Sequence, residues 1–356
     1  MRKILVVISL LLIITMIISV MALRIPPSMS MVVSLAGLGF PLIWMICLIC
    51  LVLAFLYKIK RLQFILLLII IITLPLIARY FSFSLKQANE TYKYSIFDFN
   101  GFGFREFFKN SDQTENQDSI HQYINSQDFT IACFQEYPMK GSKHARFYKN
   151  LQEGLNLNFK ALSEYNPQQK STSLILVTAS KFPIIQKKIL SYNSVPFAMY
   201  TDIRFPEGII RVYNIHLMSV KLIQERKLLM LEESNHPENI LEHVFSTIRK
   251  LKIAFNHREK QTKILTESLD DCPYPVIIAG DFNDTPISYC YSKISKGLKD
   301  SSSRTVAGFK RTYKYSSFPL QIDYILHSES ILTSSYKRLS NKISDHYAIK
   351  SNFKIK

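Results

Sequence analysis

Residues 275–284 read PVIIAGDFND, and this stretch decides how the rest of the chain is read. Val276, Ile277, Ile278 and Ala279 form a short apolar run without a charge, as a strand would. Gly280 breaks the run. Asp281 and Asn283 follow two positions apart, so in extended chain both side chains leave the same face. A single segment of this kind is compatible with a simple Asx turn. The arrangement recurs, however, along the chain. Asn100 follows the apolar run Tyr94–Phe99, and Gln135 and Glu136 follow Phe129–Phe134. Asn214 and His216 close the segment Ile209–His216, Asp323 lies in Ile322–His327, and Ser344, Asp345 and His346 stand before Tyr347–Phe353. Polar side chains at strand ends stand on a rigid platform and can converge on one cleft.

Working outward, the candidate strands are Tyr94–Phe99, Phe129–Phe134, Leu174–Thr178, Met199–Phe205, Ile209–His216, Pro275–Ala279, Ile322–His327 and Tyr347–Phe353. Candidate helices cover roughly 115–126, 144–153, 237–268 and 287–296. The longest carries a one-sided apolar stripe at Ile240, Leu241, Val244, Ile248, Leu251 and Ile253. Arg258 and Gln261, farther along it, read as part of a solvated helix face. Strands with interspersed helices predict an α/β or α+β sandwich in one domain, residues 93–356, after a polar linker at 82–92. Cys133, Cys272 and Cys290 lack metal-ligand spacing, and Cys133 reads as a small core residue.

Residues 1–81 have a different character. Up to residue 80 they hold Arg2, Lys3, Arg24, Lys58, Lys60, Arg61 and Arg79 but no Asp or Glu. The stretches 4–23, 35–57 and 62–80 each reach the roughly 20 apolar residues that a spanning helix needs. They predict a membrane anchor of three transmembrane helices. Arg2 and Lys3 precede the first stretch as in a signal peptide, but its apolar core is longer and two more stretches follow. Only Arg79 is charged within the stretches, near an end, so no ion or substrate pathway is built into them. Arg2, Lys3, Lys58, Lys60 and Arg61 fall on one side and Arg24, Arg79 and Lys86 on the other. The positive-inside rule then places the large domain on the non-cytoplasmic side.

Taken in order, QE at 135–136, NIHL at 214–217, GDFND at 280–284, IDYIL at 322–326 and SDH at 344–346 resemble the endonuclease/exonuclease/phosphatase superfamily. The likeness covers residues 93–354, and SKFPI at 180–184 is similar to a strand-connecting segment of that family. It implies a DNase I-like four-layer α/β sandwich with two central mixed β-sheets, and a phosphoester hydrolase that uses Mg²⁺ or Mn²⁺. Mg²⁺ takes oxygen ligands and keeps several waters, so one or two carboxylates suffice. The resemblance implies Asn100, Glu136 and Asp345 as metal ligands. It gives Asp281 the orientation or deprotonation of the attacking water, and Asn283 a phosphate oxygen. Asp323 would fix the tautomer of His346, which acts as general base or stabilises the transition state. His216, beside the substrate-binding Asn214, would be a general acid or a phosphate-binding donor. One departure is Phe102, where many nucleases of the family carry an acidic residue. The other is Ser171-Thr172-Ser173, where a glycine is usual.

Of the net charge of +17, residues 81–356 carry +10 (37 basic against 27 acidic). Such a surface suits a polyanion. The leading reading is a membrane-anchored, nuclease-type phosphodiester hydrolase whose partners are nucleic acid and, through residues 1–81, the lipid bilayer; no obligate protein partner is implied. Its alternatives are a phospholipid (sphingomyelinase-like) or a sugar or inositol phosphate phosphoesterase, and a catalytically inactive tethered binding module. Phe102, Phe104, Phe107 and Phe108 read as core rather than as a contact to a base or acyl chain.

Overall fold

The computed structural model describes residues 1–82, 92–104, 117–138, 155, 157–163, 174–220, 240–304, 308–316 and 318–356. The expected helix 144–153, Phe107, Phe108, the Ser171-Thr172-Ser173 loop and most of the linker lie outside these residues. In chain order the helices are α1 (Arg2–Met21), α2 (Met31–Leu38), α3 (Phe40–Leu56), α4 (Lys60–Ile77), α5 (Gln117–Asn125), α6 (Ile240–Asp270) and α7 (Tyr289–Ile294). The strands are β1 (Phe81–Ser82), β2 (Tyr94–Asn100), β3 (Ile131–Pro138), β4 (Phe159–Leu162), β5 (Leu174–Ser180), β6 (Ile184–Tyr192) and β7 (Val195–Phe205). They continue with β8 (Gly208–His216), β9 (Val276–Asp281), β10 (Lys299–Asp300), β11 (Gly308–Phe309), β12 (Asp323–His327), β13 (Ile331–Leu339) and β14 (Ala348–Ile355).

Two compact units result. One joins residues 1–81 to 218–263 and 284–294; the other holds 82–217, 264–283 and 295–356. This partition differs from a single cut between an anchor and the domain behind it, because two later segments belong with the N-terminal helices.

The second unit contains two six-stranded sheets, ordered β10-β12-β9-β8-β7-β6 and β13-β14-β2-β3-β5-β4. Each is mixed: β8 and β9 run parallel, as do β2 and β3, and the other neighbours are antiparallel. Alternation along β2 and β3 divides the side chains. Phe97, Phe99, Ala132 and Phe134 pack with Ile120 and Ile124 of α5. Ile96 and Cys133 turn the other way and meet Ile203, Val212, Ile277, Ala279 and Ile325 of the facing sheet. Each fully buried Phe or Ile removed from water contributes about 1.5–3 kcal/mol. On the outer side of that facing sheet, Tyr213 donates to the Ser268 carbonyl of α6 at 2.8 Å. Helices thus flank two central sheets, which is the four-layer arrangement expected, and Cys133 is core.

In the first unit, α1 and α4 are long and apolar enough to cross a membrane, whereas α2 and α3 meet at a 65° bend. The stretch 35–57 is therefore not one straight helix, and the count is two spanning helices, or three if the bent pair serves as one. The break has a local cause: Pro41, in the first turn of α3, has no N–H to bond the carbonyl one turn back at Gly37. Ser9, Ser19, Thr73, Cys47, Cys50 and Ala54 are buried, while Val7, Leu11, Ile14, Ile49, Val52, Phe64 and Ile72 are exposed. Leu5, Ile13, Met16, Leu62, Leu66 and Ile70 are buried as well, so these helices are apolar on both their inner and their outer faces.

Residues beyond the ends of these helices touch the later segments of the same unit. Arg79 Nη1 donates to the Pro286 carbonyl at 3.1 Å. Ser28 donates through its amide and its hydroxyl to the Glu259 carboxylate, both at 2.8 Å.

Candidate active site

Three adjacent strands bring three site residues into one row. Register pairs His216 with Asp281 across parallel β8–β9, and Asp281 with Asp323 across antiparallel β9–β12. Gly280 permits this: its φ is +146°, and an added Cβ would lie 2.0 Å from the Ile215 carbonyl oxygen. From the facing sheet, Asp98 and Asn100 share a face of β2. Glu136 sits in an irregularity of the β3–β5 pairing between Phe134 and Tyr137, with φ +49°. A left-handed non-glycine residue costs about 1–2 kcal/mol, and bulges commonly re-aim a side chain in this way.

The groups then meet. Asn100 Nδ2 lies 3.0 Å from Asp281 Oδ2 and 3.4 Å from Glu136 Oε1. His216 Nε2 is 3.4 Å from Glu136 Oε1 and 3.8 Å from Asp281 Oδ2. His346 Nδ1 contacts both Asp323 oxygens at 3.1 and 3.0 Å, and its Nε2 faces Asp281 Oδ2 and Asp345 Oδ1, each at 3.8 Å. Ser344 Oγ donates to the Asn100 carbonyl at 2.7 Å, tying the Ser-Asp-His loop to the end of β2. Asn283, with φ +51°, gives its amide N–H to Asp281 Oδ1 at 2.7 Å and its Nδ2 to the Leu217 carbonyl at 2.9 Å. All six strand-end clusters read from the sequence converge here.

One assignment needs correction. Asn214 is fully buried; its Nδ2 donates to the Phe134 and Val177 carbonyls and its Oδ1 accepts from Gln135. It binds one sheet to the other and offers no group to a substrate. Asn100 Oδ1 accepts from the Phe102 amide at 3.0 Å, and its Nδ2 faces the carboxylates. Arg258 and Gln261 also depart from the solvated face expected of them, being 2% and 3% exposed. Arg258 donates to the Met218 carbonyl at 2.8 Å and pairs with Asp284 at 3.2 Å, and Gln261 accepts from the Met218 amide at 2.8 Å. Of the phenylalanines, Phe104 is core and Phe102 is half-buried.

Asp98 is the site-facing residue that sequence reasoning missed. It is buried beneath the row and accepts from Gln135 Nε2 at 2.8 Å. Its signal was present, as an acid two positions before Asn100 in an otherwise apolar strand.

Electrostatics follow from crowding buried carboxylates. Burial and then the Asp323 charge push Asp281 up to about 6. Burial, with Asp323 adding to it, holds Asp98 well above the usual carboxylate range. Burial opposes charging His346, yet Asp323, Asp281 and Asp345 together raise it to about 10. Burial lowers His216, whose buried Nε2 makes no hydrogen bond among the described residues.

The donor set fits a hard divalent cation. It is rich in carboxylate oxygen, carries more negative charge than its surroundings favour, and leaves a buried nitrogen unsatisfied beside Glu136. Asp281, Asp323 and His346 each bring an atom within 4.8 Å of the others. Because His346 Nδ1 is already bonded to Asp323, that trio is an oriented Asp–His pair beside a carboxylate, and Glu136 and Asp345 are the other carboxylates at the cleft.

A pH effect on stability follows. Asp281 and Asp98 hold a proton more tightly folded than unfolded, so their contribution is complete below about pH 4; the part from Asp281 is lost as pH rises through about 6. His216 opposes this weakly below its ordinary value of 6.5. The thermal midpoint of the full chain in EDTA should therefore fall between pH 5 and 7.5. Mg²⁺ should raise it more at 7.5, where Asp281 is charged. Scanning fluorimetry with and without Mg²⁺ checks this, and an equal Mg²⁺ shift at both values would contradict it.

A model described as the endonuclease/exonuclease/phosphatase family matches residues 100–346, and one described as a domain of unknown function matches residues 2–80. No curated protein matches the chain. Among solved structures, a functionally unknown conserved protein from Enterococcus faecalis V583 aligns with TM-score 0.52 and 15% identity over 74% of this chain and all of its own. A family protein from Leptotrichia buccalis C-1013-b aligns at 0.51 and 14%, again over 74% and 100%. The human Nocturnin catalytic domain with bound sulfate aligns at 0.50 and 14%, over 76% and 96%. At these identities the structures speak for the fold.

Proposed function

The chain belongs to the endonuclease/exonuclease/phosphatase family, and from that premise we propose that it is a membrane-anchored phosphodiester hydrolase dependent on Mg²⁺ or Mn²⁺, acting on nucleic acid. The observation that carries the chemistry is the row His216–Asp281–Asp323 with His346 locked on Asp323. A divalent cation held by Glu136 and Asp345 would neutralise phosphate charge and polarise the phosphoryl group. Asp281, raised to about 6, is suited to take the proton of the attacking water near neutral pH. As that oxygen bonds to phosphorus, the bond to the leaving oxygen breaks, and the leaving oxygen takes up a proton from solvent.

His346, favoured as imidazolium by three carboxylates, stabilises negative charge on the phosphoryl oxygens, and Asp323 holds the ring in place. Burial keeps His216 neutral, so it is better suited as a phosphate-binding donor than as a general acid. Asn283, whose Nδ2 retains a second hydrogen, is suited to a phosphate oxygen.

The net positive charge supports nucleic acid as substrate. A bilayer-borne phosphoester is the second reading, supported by the outward apolar faces of α1, α3 and α4. Outward placement of the hydrolytic domain rests on the basic residues at α1 and at the α3–α4 turn. The test uses the full chain in detergent micelles with supercoiled plasmid and Mg²⁺, and phospholipid vesicles in parallel. Nicking that EDTA abolishes is the expected result. Turnover of vesicles alone would move the substrate to lipid. Failure of both, in a folded protein that binds Mg²⁺, would leave the inactive tethered module.

A further inference from the structure

The turn that carries Asp281 and Asn283 is followed directly by residues that the N-terminal helices hold. Asn283 is a left-handed non-glycine residue, and such a conformation persists only where its surroundings over-determine it. The surroundings downstream are unusual. Pro286, three residues on, accepts from Arg79 Nη1 at 3.1 Å, and covalent geometry limits that interval to about 10 Å. The Arg79 guanidinium also lies 5.8 Å from the Tyr291 ring centre. Tyr80 is 1% exposed and stacks on Phe40 at 6.2 Å, with its hydroxyl beside Thr285. Gly37 has no room for a side chain, since a Cβ there would meet the Ile287 carbonyl oxygen at 2.6 Å and Ala22 at 2.5 Å. Asp284 is taken by Arg258.

Asp284, Pro286 and Ile287 therefore each meet a residue of their own unit, Arg79 and Gly37 among them, and Tyr80 lies beside Thr285. Gly37 and the Arg79–Tyr80 pair stand at the ends of α2 and α4. A mere tether would make no such contacts. We infer that Arg79, Tyr80 and Gly37 are positioning residues: they hold segment 284–287 within its own unit and, through the chain bond that follows Asn283, restrain the turn that carries Asn283 and Asp281. The inference rests on the site proposed above, but its structural half can be read without activity.

The experiment takes the full chain in micelles as wild type, Arg79→Ala, Arg79→Lys, Tyr80→Phe, Gly37→Val and Lys58→Ala. Lys58 is in the turn between α3 and α4, at their other ends, and serves as control. Two readouts are taken: amide exchange of residues 281–287 in the metal-free protein, and kcat and KM on whichever substrate the wild type turns over. Because a displacement of about 1 Å can cost 10²-fold, Arg79→Ala and Gly37→Val should lower kcat about tenfold or more and leave KM within about twofold. Exchange at 281–287 should rise about tenfold in both. Arg79→Lys, which keeps a donor for Pro286, should recover most of each effect, and Lys58→Ala should change neither. If Arg79→Ala does not fold, Tyr80→Phe, which removes only a buried hydroxyl, should show the same changes at about threefold. Unchanged exchange at 281–287 in Arg79→Ala and Gly37→Val would overturn the inference. Should the wild type turn over no phosphoester, the exchange readout alone decides, and that failure would count against the proposed reaction only.

Discussion

His346→Ala should lower kcat by roughly 10²–10⁴-fold while changing KM little, measured on the substrate that the wild type hydrolyses. The imidazole is 5% exposed, its Nδ1 is held by both Asp323 oxygens, and its Nε2 points to the region bounded by Asp281 and Asp345. A group so oriented acts on charge that develops in the transition state, and substrate binding draws on it less. Asp323→Asn is the informative companion. It keeps the packing but removes the charge that favours the imidazolium and reverses the preferred tautomer, so it should reproduce much of the loss. A fall of less than tenfold for His346→Ala would remove His346 from the chemistry. A large fall for His346→Ala with a neutral Asp323→Asn would show that the pair does not act as a unit.

Arg258→Met should destabilise the protein by about 3–5 kcal/mol, the usual cost of stranding one member of a buried ion pair. Asp284 is 5% exposed, burial already raises its pKa, and Arg258 is the cation that pulls it back. The substitution also strips the Met218 carbonyl of its donor. Adding Asp284→Asn should restore part of the loss, because the stranded charge disappears while the lost bond to Met218 does not. Thermal and denaturant midpoints of the single and double variants in detergent measure this. A single-variant cost below about 1 kcal/mol would mean that water reaches the pair.

Arg258 also shows where sequence reading stopped short. The apolar stripe of α6 runs in the sequence to Ile253, and the polar residues beyond it read as solvent-facing. In the structure Ala254, Arg258, Gln261 and Leu265, spaced 4, 3 and 4 apart, are all buried on α6. Helical spacing pointed inward, but a guanidinium at those positions gave no reason to expect burial until Asp284 and Met218 were brought to it.

What the sequence determined by itself is the interior of the sandwich and the membership of the site. The eight strands legible in it are the eight inner strands of the two sheets, because a strand flanked on both sides must be apolar enough to be recognised. Its polar ends named Glu136, His216, Asp281, Asp323, Asp345 and His346 without any knowledge of their distances. In the two six-stranded sheets the strands it concealed, β4, β6, β10 and β13, are the four edges. Their Lys and Ser residues, such as Lys187 and Lys188 in β6, suit an unpaired edge and read as loop. Only the tertiary structure decided which polar groups face the cleft and which hold the sheets together, since that depends on partners far away in the chain. Asn214 bonded to Val177, Asn100 turned by the Phe102 amide, and Arg79 set on Pro286 are all of this kind.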